Sequence, residues 1–351
     1  MGRTLIVQLA ILSDIHYAGP RERLRVGYPL KDIHNPLQRA GIALYRRYFW
    51  QRDPFAHNHL LDQFISRASG SDFVIANGDY SCDSAAIGVA DDAACESTGE
   101  CLGKLRAAFP GRFEATIGDH ELGKKPLGAD KGGLRAASFF RAQSELQLQP
   151  FWQRTFGSFV LIGITSSLVA LPIYAPEALH EELSKWSELR ERHMQEIRAA
   201  FAGLRRDQRV ILFCHDPTAL PFLAQDGRIA SKLNQMERTI IGHLHSRLIL
   251  FKSRLLSGMP IIGFLGHTPK RLSAALRQAR WWKPFKILLC PSLTGIELLK
   301  DGGFCTVGLD EGSNQALRFE FHRLHWSNRS IDRKGRSPQT GAPNANFRSS
   351  S

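Results

Sequence analysis

Residues 73–79 read Phe-Val-Ile-Ala-Asn-Gly-Asp. The first four form an uninterrupted apolar run, which is typical of a short strand buried on both faces of a sheet. Gly78 follows where the chain must turn, so Asp79 is predicted to lie at the rim of that sheet. Ligand sites in open α/β sheets form at this carboxyl-terminal edge. The stretch therefore predicts an α/β fold with a functional carboxylate at the sheet edge.

Four other blocks of carboxylates and imidazoles follow or end predicted strands. They are Asp14-Ile15-His16, Gly118-Asp119-His120-Glu121, His215-Asp216-Pro217 and Gly242-His243-Leu244-His245. In the first and last blocks two candidate ligands are two residues apart, which would place both on one side of an extended backbone. Imidazole and carboxylate without sulfur suit Mn, Fe, Co or Zn better than Ca or Mg. The sequence thus predicts a metal site assembled from five strand ends.

Each block taken singly has an ordinary structural explanation. A histidine at a strand end is more often a hydrogen-bonded structural residue than a ligand. Asp119 has the residue type and position of a cap for the turn that follows it. Capping does not account for five such blocks in one chain, so the combined pattern favours a metal site.

In this order the blocks resemble the motifs of the calcineurin-like metallophosphoesterase superfamily, which read Asp-x-His, Gly-Asp, Gly-Asn-His-Asp/Glu, His and Gly-His-x-His. The resemblance extends over residues 5–250. It implies an α/β protein with a four-layer α-β-β-α sandwich and a binuclear metal site at the strand ends. It also implies a metal-dependent phosphoric ester hydrolase, a phosphatase in which a metal-bridging hydroxide attacks a phosphate ester or pyrophosphate.

The resemblance further implies a role for each matching residue. One ion would be held by Asp14, His16, Asp79 and His245, and the other by Asp79, Asp119, His215 and His243, with Asp79 shared. His120 would be the catalytic imidazole near the leaving group. The implied cofactors are two divalent or mixed-valence metal ions, with Mn, Fe or Zn expected.

Two positions depart from the family pattern. Asp119 replaces the family asparagine, which adds a negative charge that should hold metal more tightly and repel a phosphate dianion. This favours a diester or a pyrophosphate diester as substrate, or a more highly charged metal ion. Cys82 occupies a position where the family often has a further aspartate, and the nearest acid is Asp83.

Composition restricts the class of protein. The chain has 351 residues, 43% of them hydrophobic, with a formal net charge of +13. Such a charge favours anionic partners: a phosphorylated substrate, an anionic membrane surface or nucleic acid, of which the last has no binding motif here. Six cysteines without a CxxC pair indicate reduced thiols and a cytoplasmic protein, with peripheral membrane association left open. The sequence does not predict the oligomeric state.

We predict a single domain over residues 1–326, followed by a disordered tail at 327–351. Within the domain, residues 17–67 form a basic, aromatic insertion, and residues 265–300 form a basic amphipathic helical segment. Further predictions are a loop at 81–99, a helix at 102–109, a helix at 177–204, strands at 248–256 and 259–264, and a hairpin within 304–326.

Basic residues near the predicted centre are candidates for substrate binding. They are Arg46 and Arg47 in the insertion, and Lys124 and Lys125 after the Gly118 block. The helix at 270–286 either packs on the sheet with a solvated basic face or lies at a membrane surface. The second alternative would suit a membrane-surface pyrophosphate hydrolase acting on a lipid-linked nucleotide such as UDP-diacylglucosamine. A non-catalytic scaffold on the same fold is the alternative of another class.

Overall fold

The computed structural model describes residues 6–25, 27–28, 30, 33–126, 131–262, 267–310 and 315–326. The predicted tail at 327–351 lies outside the described residues. The strands are β1 (Ile6–Leu12), β2 (Phe73–Ala76), β3 (Phe113–Ala115), β4 (Phe151–Phe156), β5 (Phe159–Ile164), β6 (Arg209–Cys214), β7 (Met236–Ile241), β8 (Ile287–Leu289), β9 (Gly303–Asp310) and β10 (Phe319–Arg323).

The strands form two sheets of five. The first has the order β10-β9-β1-β2-β3 and the second the order β4-β5-β6-β7-β8. Strands β1, β2 and β3 run parallel, and the hairpin of β9 and β10 joins β1 in antiparallel pairing. In the second sheet β5 to β8 run parallel and β4 pairs antiparallel with β5. The parallel strands of each sheet therefore end at one common edge.

Helices connect and cover the sheets. They are α1 (Pro20–Arg23), α2 (Pro36–Tyr48), α3 (His59–Arg67), α4 (Asp92–Ala108), α5 (Asp119–Leu122), α6 (Ala136–Ser144), α7 (Ser166–Val169), α8 (Leu171–Tyr174), α9 (Leu183–Ala202), α10 (Leu220–Gln225), α11 (Gly227–Ala230), α12 (Arg247–Leu255) and α13 (His267–Arg277), followed by a 3₁₀ segment at Ala279–Phe285. No helix in the described part of the chain is both long enough and apolar enough to span a membrane.

The alternation of side chains along the strands builds the layers. In β1, Leu9 and Ile11 belong to a core cluster that also contains Phe213 of the second sheet, so they pack between the sheets. Leu12 belongs to a separate cluster with Phe64 of α3, on the helix-covered side. This division follows from the two-residue period of a strand. It confirms the predicted four-layer α-β-β-α sandwich.

Several sequence-based boundaries were wrong. The predicted strand at 248–256 is helix α12, which begins after Ser246, whose side chain accepts a hydrogen bond from the backbone N–H of Leu248. Residues 259–262 form no strand, and the rest of the strand predicted at 259–264 is not described. A short apolar run does not distinguish helix from strand by periodicity alone, and here the N-cap serine was the better signal.

Three further differences concern helix ends. The predicted loop at 81–99 is helical from Asp92, because Asp91 caps α4 by accepting from the N–H of Ala94. The predicted helix at 177–204 begins only at Leu183, after 3₁₀ turns. The helical segment predicted at 265–300 ends at Phe285 and is followed by strand β8.

The apolar face predicted for residues 270–286 is mostly buried. Leu276, Ala279 and Trp282 are all less than one tenth exposed, whereas Leu272 is exposed. The packing of this segment on the protein core is therefore the correct alternative for its apolar face.

Candidate metal centre

The turns at the sheet edge hold the candidate ligands in an unusual backbone conformation. Asp14, His16, Asp79, His243 and His245 have φ between 49° and 60°. The two paired blocks therefore do not have the extended backbone under which strand alternation would place both of their ligands on one side. A positive φ in a residue other than glycine costs roughly 1–3 kcal/mol and tends to occur at functional sites. Neighbouring turns support this geometry, since the N–H of Asp14 donates to the carbonyl of Gly78.

Glycines allow these turns to approach one another closely. Gly78 has a φ of 90°, and a Cβ there would lie 2.8 Å from Nδ1 of His215 and 2.8 Å from Cα of Gly118. A Cβ at Gly242 would overlap the side chains of Ser13 and Asp14. The glycines of the sequence blocks are thus required by the close approach of separate strand ends.

One group of candidate ligands combines the ends of β2, β3, β6 and β7. Nε2 of His215 lies 3.1 Å from Oδ2 of Asp79 and 3.1 Å from Oδ1 of Asp119. Nδ1 of His243 lies 2.9 Å from the same oxygen of Asp119. One donor atom from each of these four residues lies within 4.8 Å of the others.

A second group combines the ends of β1 and β7. Nε2 of His245 lies 3.2 Å from Oδ1 of Asp14 and 3.1 Å from Nε2 of His16. Asp79 lies within the same 4.8 Å limit of both His16 and His120, so it adjoins both groups. Nε2 of His215 is 3.9 Å from Oδ1 of Asp14, which makes the two groups direct neighbours.

The electrostatics of this buried cluster favour ionised carboxylates. Burial alone raises the pKa of Asp14, but the imidazoles of His215 and His245 lower it to about 2. Burial likewise opposes the ionisation of Asp79, yet His215 and His120 hold its pKa well below the usual range. Burial lowers the pKa of His16 to about 3, aided by the neighbouring His120 and His245. The imidazole of His215 behaves differently: burial opposes its protonation, but Asp79 and Asp14 raise its pKa well above the usual value. Ionised carboxylates beside the imidazole of His16, whose pKa is lowered, are suited to binding metal cations.

The donor set fits two metal ions. It consists of three carboxylates and four imidazoles, nearly all buried, without sulfur. Nε2 of His215 is buried between oxygens of Asp79 and Asp119 but makes no hydrogen bond of good geometry. Buried polar atoms are rarely left unsatisfied, so this nitrogen is suited to binding a metal ion together with those oxygens. Oxygen and nitrogen donors of this kind suit Mn, Fe or Zn.

Of the five predicted site residues that are not metal ligands, four line a cavity beside the centre and one does not. His120, Lys124, Lys125 and Arg46 line a cavity of about 380 Å³ beside the candidate ligands. Arg47 does not belong to this wall; its guanidinium lies over the ring of Tyr48, 5.4 Å from the centroid. The structure thus brings together the predicted ligands and four of the five other residues.

Glu121 has a role that the sequence reasoning did not assign. Its fully buried carboxylate accepts hydrogen bonds from the backbone N–H groups of Asp79, Tyr80 and Gly118, at 3.0, 2.8 and 2.8 Å. Burial, together with the neighbouring Asp79, raises the pKa of Glu121 to about 8. Through these hydrogen bonds, Glu121 links the turn after β2 to the turn after β3. The sequence signal for this role was the acidic residue at the fourth position of the block Gly118-Asp119-His120-Glu121.

Three other contacts were not foreseen from the sequence. The ring of Trp50 packs against that of His245 at an interplanar angle of 34°, with centroids 4.5 Å apart. The hydroxyl of Tyr174 donates to Asp216, whose Oδ2 is 3.8 Å from Nε2 of His243. These contacts restrict the orientation of two candidate ligands. They join segments that are far apart in the chain, so no local sequence pattern predicts them.

No protein-family model matches the sequence, and no curated protein matches it. Two solved structures have a similar fold. A dimetal phosphatase from Danio rerio is 13% identical with a TM-score of 0.45, covering 87% of this chain and 93% of its own. A purple acid phosphatase from seeds of yellow lupin (Lupinus luteus) is 13% identical with a TM-score of 0.40, covering 92% of this chain and 52% of its own. The present chain spans about half the length of the lupin enzyme.

Proposed function

We propose that this protein is a metal-dependent phosphoesterase whose binuclear centre hydrolyses a phosphate ester or a pyrophosphate. The observation that carries the proposal is the meeting of two groups of buried donors, Asp79 with Asp119, His215 and His243, and Asp14 with His16 and His245. Five strand ends from two sheets contribute to them. Three buried carboxylates this close together call for compensating positive charge, which metal ions would supply beside Lys124 and the imidazoles.

In this proposal Asp14, His16, Asp79 and His245 hold one ion, and Asp79, Asp119, His215 and His243 hold the other. When bound, a pair of Mn, Fe or Zn ions would lower the pKa of a water nucleophile and neutralise charge on the phosphoryl oxygens. The chain positions these ligands through its strained turns. Asp79 lies in the middle of the cluster, which is the position required of a shared ligand.

His120 is assigned the proton transfer to the leaving group. Its side chain is 21% exposed on the cavity wall, and its Nε2 lies 3.9 Å from Oδ2 of Asp79. The backbone N–H of His120 also donates to Oδ1 of Asp79, at 3.0 Å, which fixes the start of α5 against the cluster. An imidazole with access to both the cluster and the cavity is suited to general acid catalysis.

Lys124 is assigned to the binding of a phosphoryl oxygen. Its ammonium group lies on the cavity wall, 2.6 Å from Oδ2 of Asp119 and 3.4 Å from Nδ1 of His243. It therefore offsets the charge that Asp119 introduces. With Lys124 included, the charge of the centre no longer favours a diester over a monoester.

The cavity supports a substrate with an apolar portion. Its wall contains Ile42, Tyr45, Trp50, Ile249 and Leu272, while the cations Arg46 and Arg271 line it as well. Aliphatic and aromatic walls bind the apolar part of a ligand, and a few charged groups orient it. An amphiphilic pyrophosphate such as UDP-diacylglucosamine is therefore a second candidate substrate beside a generic phosphate ester.

Metal analysis combined with a hydrolysis panel tests the proposed function. The purified protein should contain about two metal ions per chain, and should hydrolyse at least one generic monoester, diester or pyrophosphate when supplied with Mn, Fe or Zn. The variants Asp79→Ala and His215→Ala should lose both properties. Asp207→Ala, at an exposed carboxylate paired with Arg205, is the control and should keep them.

Metal binding with no hydrolysis of any ester would instead support the non-catalytic scaffold. A protein that bound no metal would contradict the proposed enzyme and leave the non-catalytic scaffold as the remaining function. All seven predicted ligand positions carry donors that can bind metal, which favours the enzyme over the scaffold.

A further inference from the structure

Helix α2 presents an apolar stripe that is largely exposed to solvent. None of its thirteen residues is buried. Leu37, Leu44 and Tyr48 are 83%, 58% and 61% exposed, and their spacing of seven and four residues places them on one face. A helix with a fully exposed apolar face is expected to meet another surface.

Helix α12 adds a second exposed apolar stripe close to the end of α2. Phe251 and Leu255, one turn apart, are 64% and 74% exposed. The ammonium group of Lys252 lies 4.8 Å from the ring centroid of Phe49, the residue that follows α2. The N–H of Leu298, itself exposed, donates to the carbonyl of Phe49. These contacts bring α2, α12 and the loop at 297–299 to one region of the surface.

This region adjoins the cavity described above. Ile42 and Tyr45 of α2, Ile249 of α12 and Leu272 of α13 contribute to the cavity wall. Helices α2 and α12, which expose apolar stripes to solvent, therefore also form part of the cavity wall. We refer to Leu37, Leu44, Tyr48, Phe251, Leu255 and Leu298 together as the mouth surface.

The mouth surface is set among positive charges. Residues 247–300 contain ten Lys or Arg and a single acid, Glu297. Residues 36–50 contain Arg39, Arg46 and Arg47 and no acid. Apolar side chains at helical spacing among lysine and arginine are the pattern of helices that lie in the interface of an anionic membrane.

We propose that the mouth surface docks on an anionic lipid bilayer. Charge decides between a bilayer and a second copy of the chain, because a symmetric dimer would bring two basic regions together, whereas anionic lipid neutralises them. The apolar stripes then enter the boundary between headgroups and acyl chains, with the basic residues at the headgroups. If the proposed function also holds, a substrate with an apolar portion would reach the metal centre from the bilayer.

Vesicle co-sedimentation tests the docking directly. The full-length protein should bind vesicles of phosphatidylcholine with added phosphatidylglycerol at least about tenfold more strongly than vesicles of phosphatidylcholine alone, and high salt should weaken the binding. The double variants Leu37→Glu/Leu44→Glu and Phe251→Glu/Leu255→Glu should each reduce binding about tenfold or more.

Matched controls separate docking from general effects of added charge. Leu24→Glu/Phe140→Glu changes two exposed apolar residues outside the mouth surface and should bind vesicles like the wild type. Reversal of charge at Arg39 and Arg254, near the mouth surface, should weaken binding more than reversal at Arg192 of α9.

Metal content and hydrolysis of a soluble ester, measured in every variant, keep the docking distinct from the proposed function. The four substituted apolar residues lie outside the metal centre, so both quantities should remain near the wild-type values. The docking proposal would be overturned if the wild type ignored anionic vesicles, or if the mouth-surface variants bound them as well as the controls did. A dimer that these variants dissociate, without any vesicle binding, would assign the mouth surface to a second copy.

Discussion

The ammonium group of Lys124 lies 2.6 Å from Oδ2 of Asp119, the residue that stands where the metallophosphoesterase pattern has asparagine. Asp119 is buried, and Lys124 with His243 holds its pKa well below the usual range. The additional carboxylate is therefore accompanied by a cation placed close enough to offset its charge.

This pairing predicts that Lys124→Met lowers kcat/KM more in the wild type than in the Asp119→Asn variant. In the wild type, the substitution should lower kcat/KM for a generic phosphodiester about tenfold or more, because an unbalanced carboxylate remains in the centre. In Asp119→Asn the same substitution should cost much less. Steady-state kinetics over the four-member cycle measures the coupling. Lys104→Met, at a surface ion pair with Asp62, is the control. Equal losses in both backgrounds would show that Lys124 acts independently of Asp119.

Replacement of His120 should separate catalysis from metal binding. His120→Ala should lower kcat by about 10²–10⁴-fold, the range expected for loss of a general acid, and should leave metal content nearly unchanged. Parallel metal analysis and kinetics check this. The residue adjoins His16 and Asp79 closely enough to be a ligand itself. A variant that loses metal in proportion to activity would therefore assign His120 to the metal ligands.

Removal of the Glu121 carboxylate should disrupt the turns that carry the ligands. Glu121→Ala leaves three buried N–H groups without an acceptor, which should lower the free energy of unfolding by at least about 3 kcal/mol. Urea denaturation measures this, and metal content should fall as well. Glu121→Gln keeps one acceptor oxygen and should show a smaller loss, while Glu188→Ala on the exposed side of α9 should show almost none. A fully stable alanine variant would contradict the supporting role.

Much of the candidate metal centre could be predicted because the sequence pattern that marks it, an apolar strand with a ligand close to its end, lies within a few residues. Strands such as β2 and β6 are short apolar runs; His215 follows β6 directly, and Asp79 follows β2 after two residues. Chain order and residue type were enough to propose which strand ends meet. The positive φ of Asp14 or His243 was missed because the spacing of side chains in a block does not reveal the backbone conformation.

The features that were missed depend on contacts between distant segments. The function of Glu121 rests on N–H groups about forty residues earlier in the chain. Whether an amphipathic helix packs inward or outward depends on which neighbours it meets: the apolar side of the segment after Leu272 is buried, whereas that of α2 is exposed. Periodicity predicts that a helix has an apolar face and does not identify the partner of that face.

The close approach of the β2 and β3 turns makes Gly78 a sensitive position. Gly78→Ala places a Cβ 2.8 Å from Cα of Gly118 in a backbone with φ of 90°, so both strain and collision oppose it. We expect a loss of at least about 2 kcal/mol in the free energy of unfolding, together with loss of metal. Gly103→Ala, in α4 with nothing within 4 Å, is the control. It should be neutral or stabilise by about 0.5–1 kcal/mol.

His57 should make the stability of the fold depend on pH, independently of the metal centre. Burial lowers the pKa of His57 to about 4, assisted by the nearby His59, and its ring contacts that of Trp326 at 4.4 Å between centroids. Because the folded-state pKa lies below the unfolded value of 6.5, the unfolded chain binds more protons between these pH values. The contribution of His57 to stability is thus complete above pH 6.5 and is lost progressively as the pH falls to about 4.

His57→Phe keeps an aromatic ring against Trp326 and removes the titration, so its free energy of unfolding should decline less than that of the wild type over this window. Urea denaturation at successive pH values measures the difference, and His180→Phe, at an exposed histidine, should follow the wild type. Parallel curves for wild type and His57→Phe would show that His57 does not titrate differently on folding.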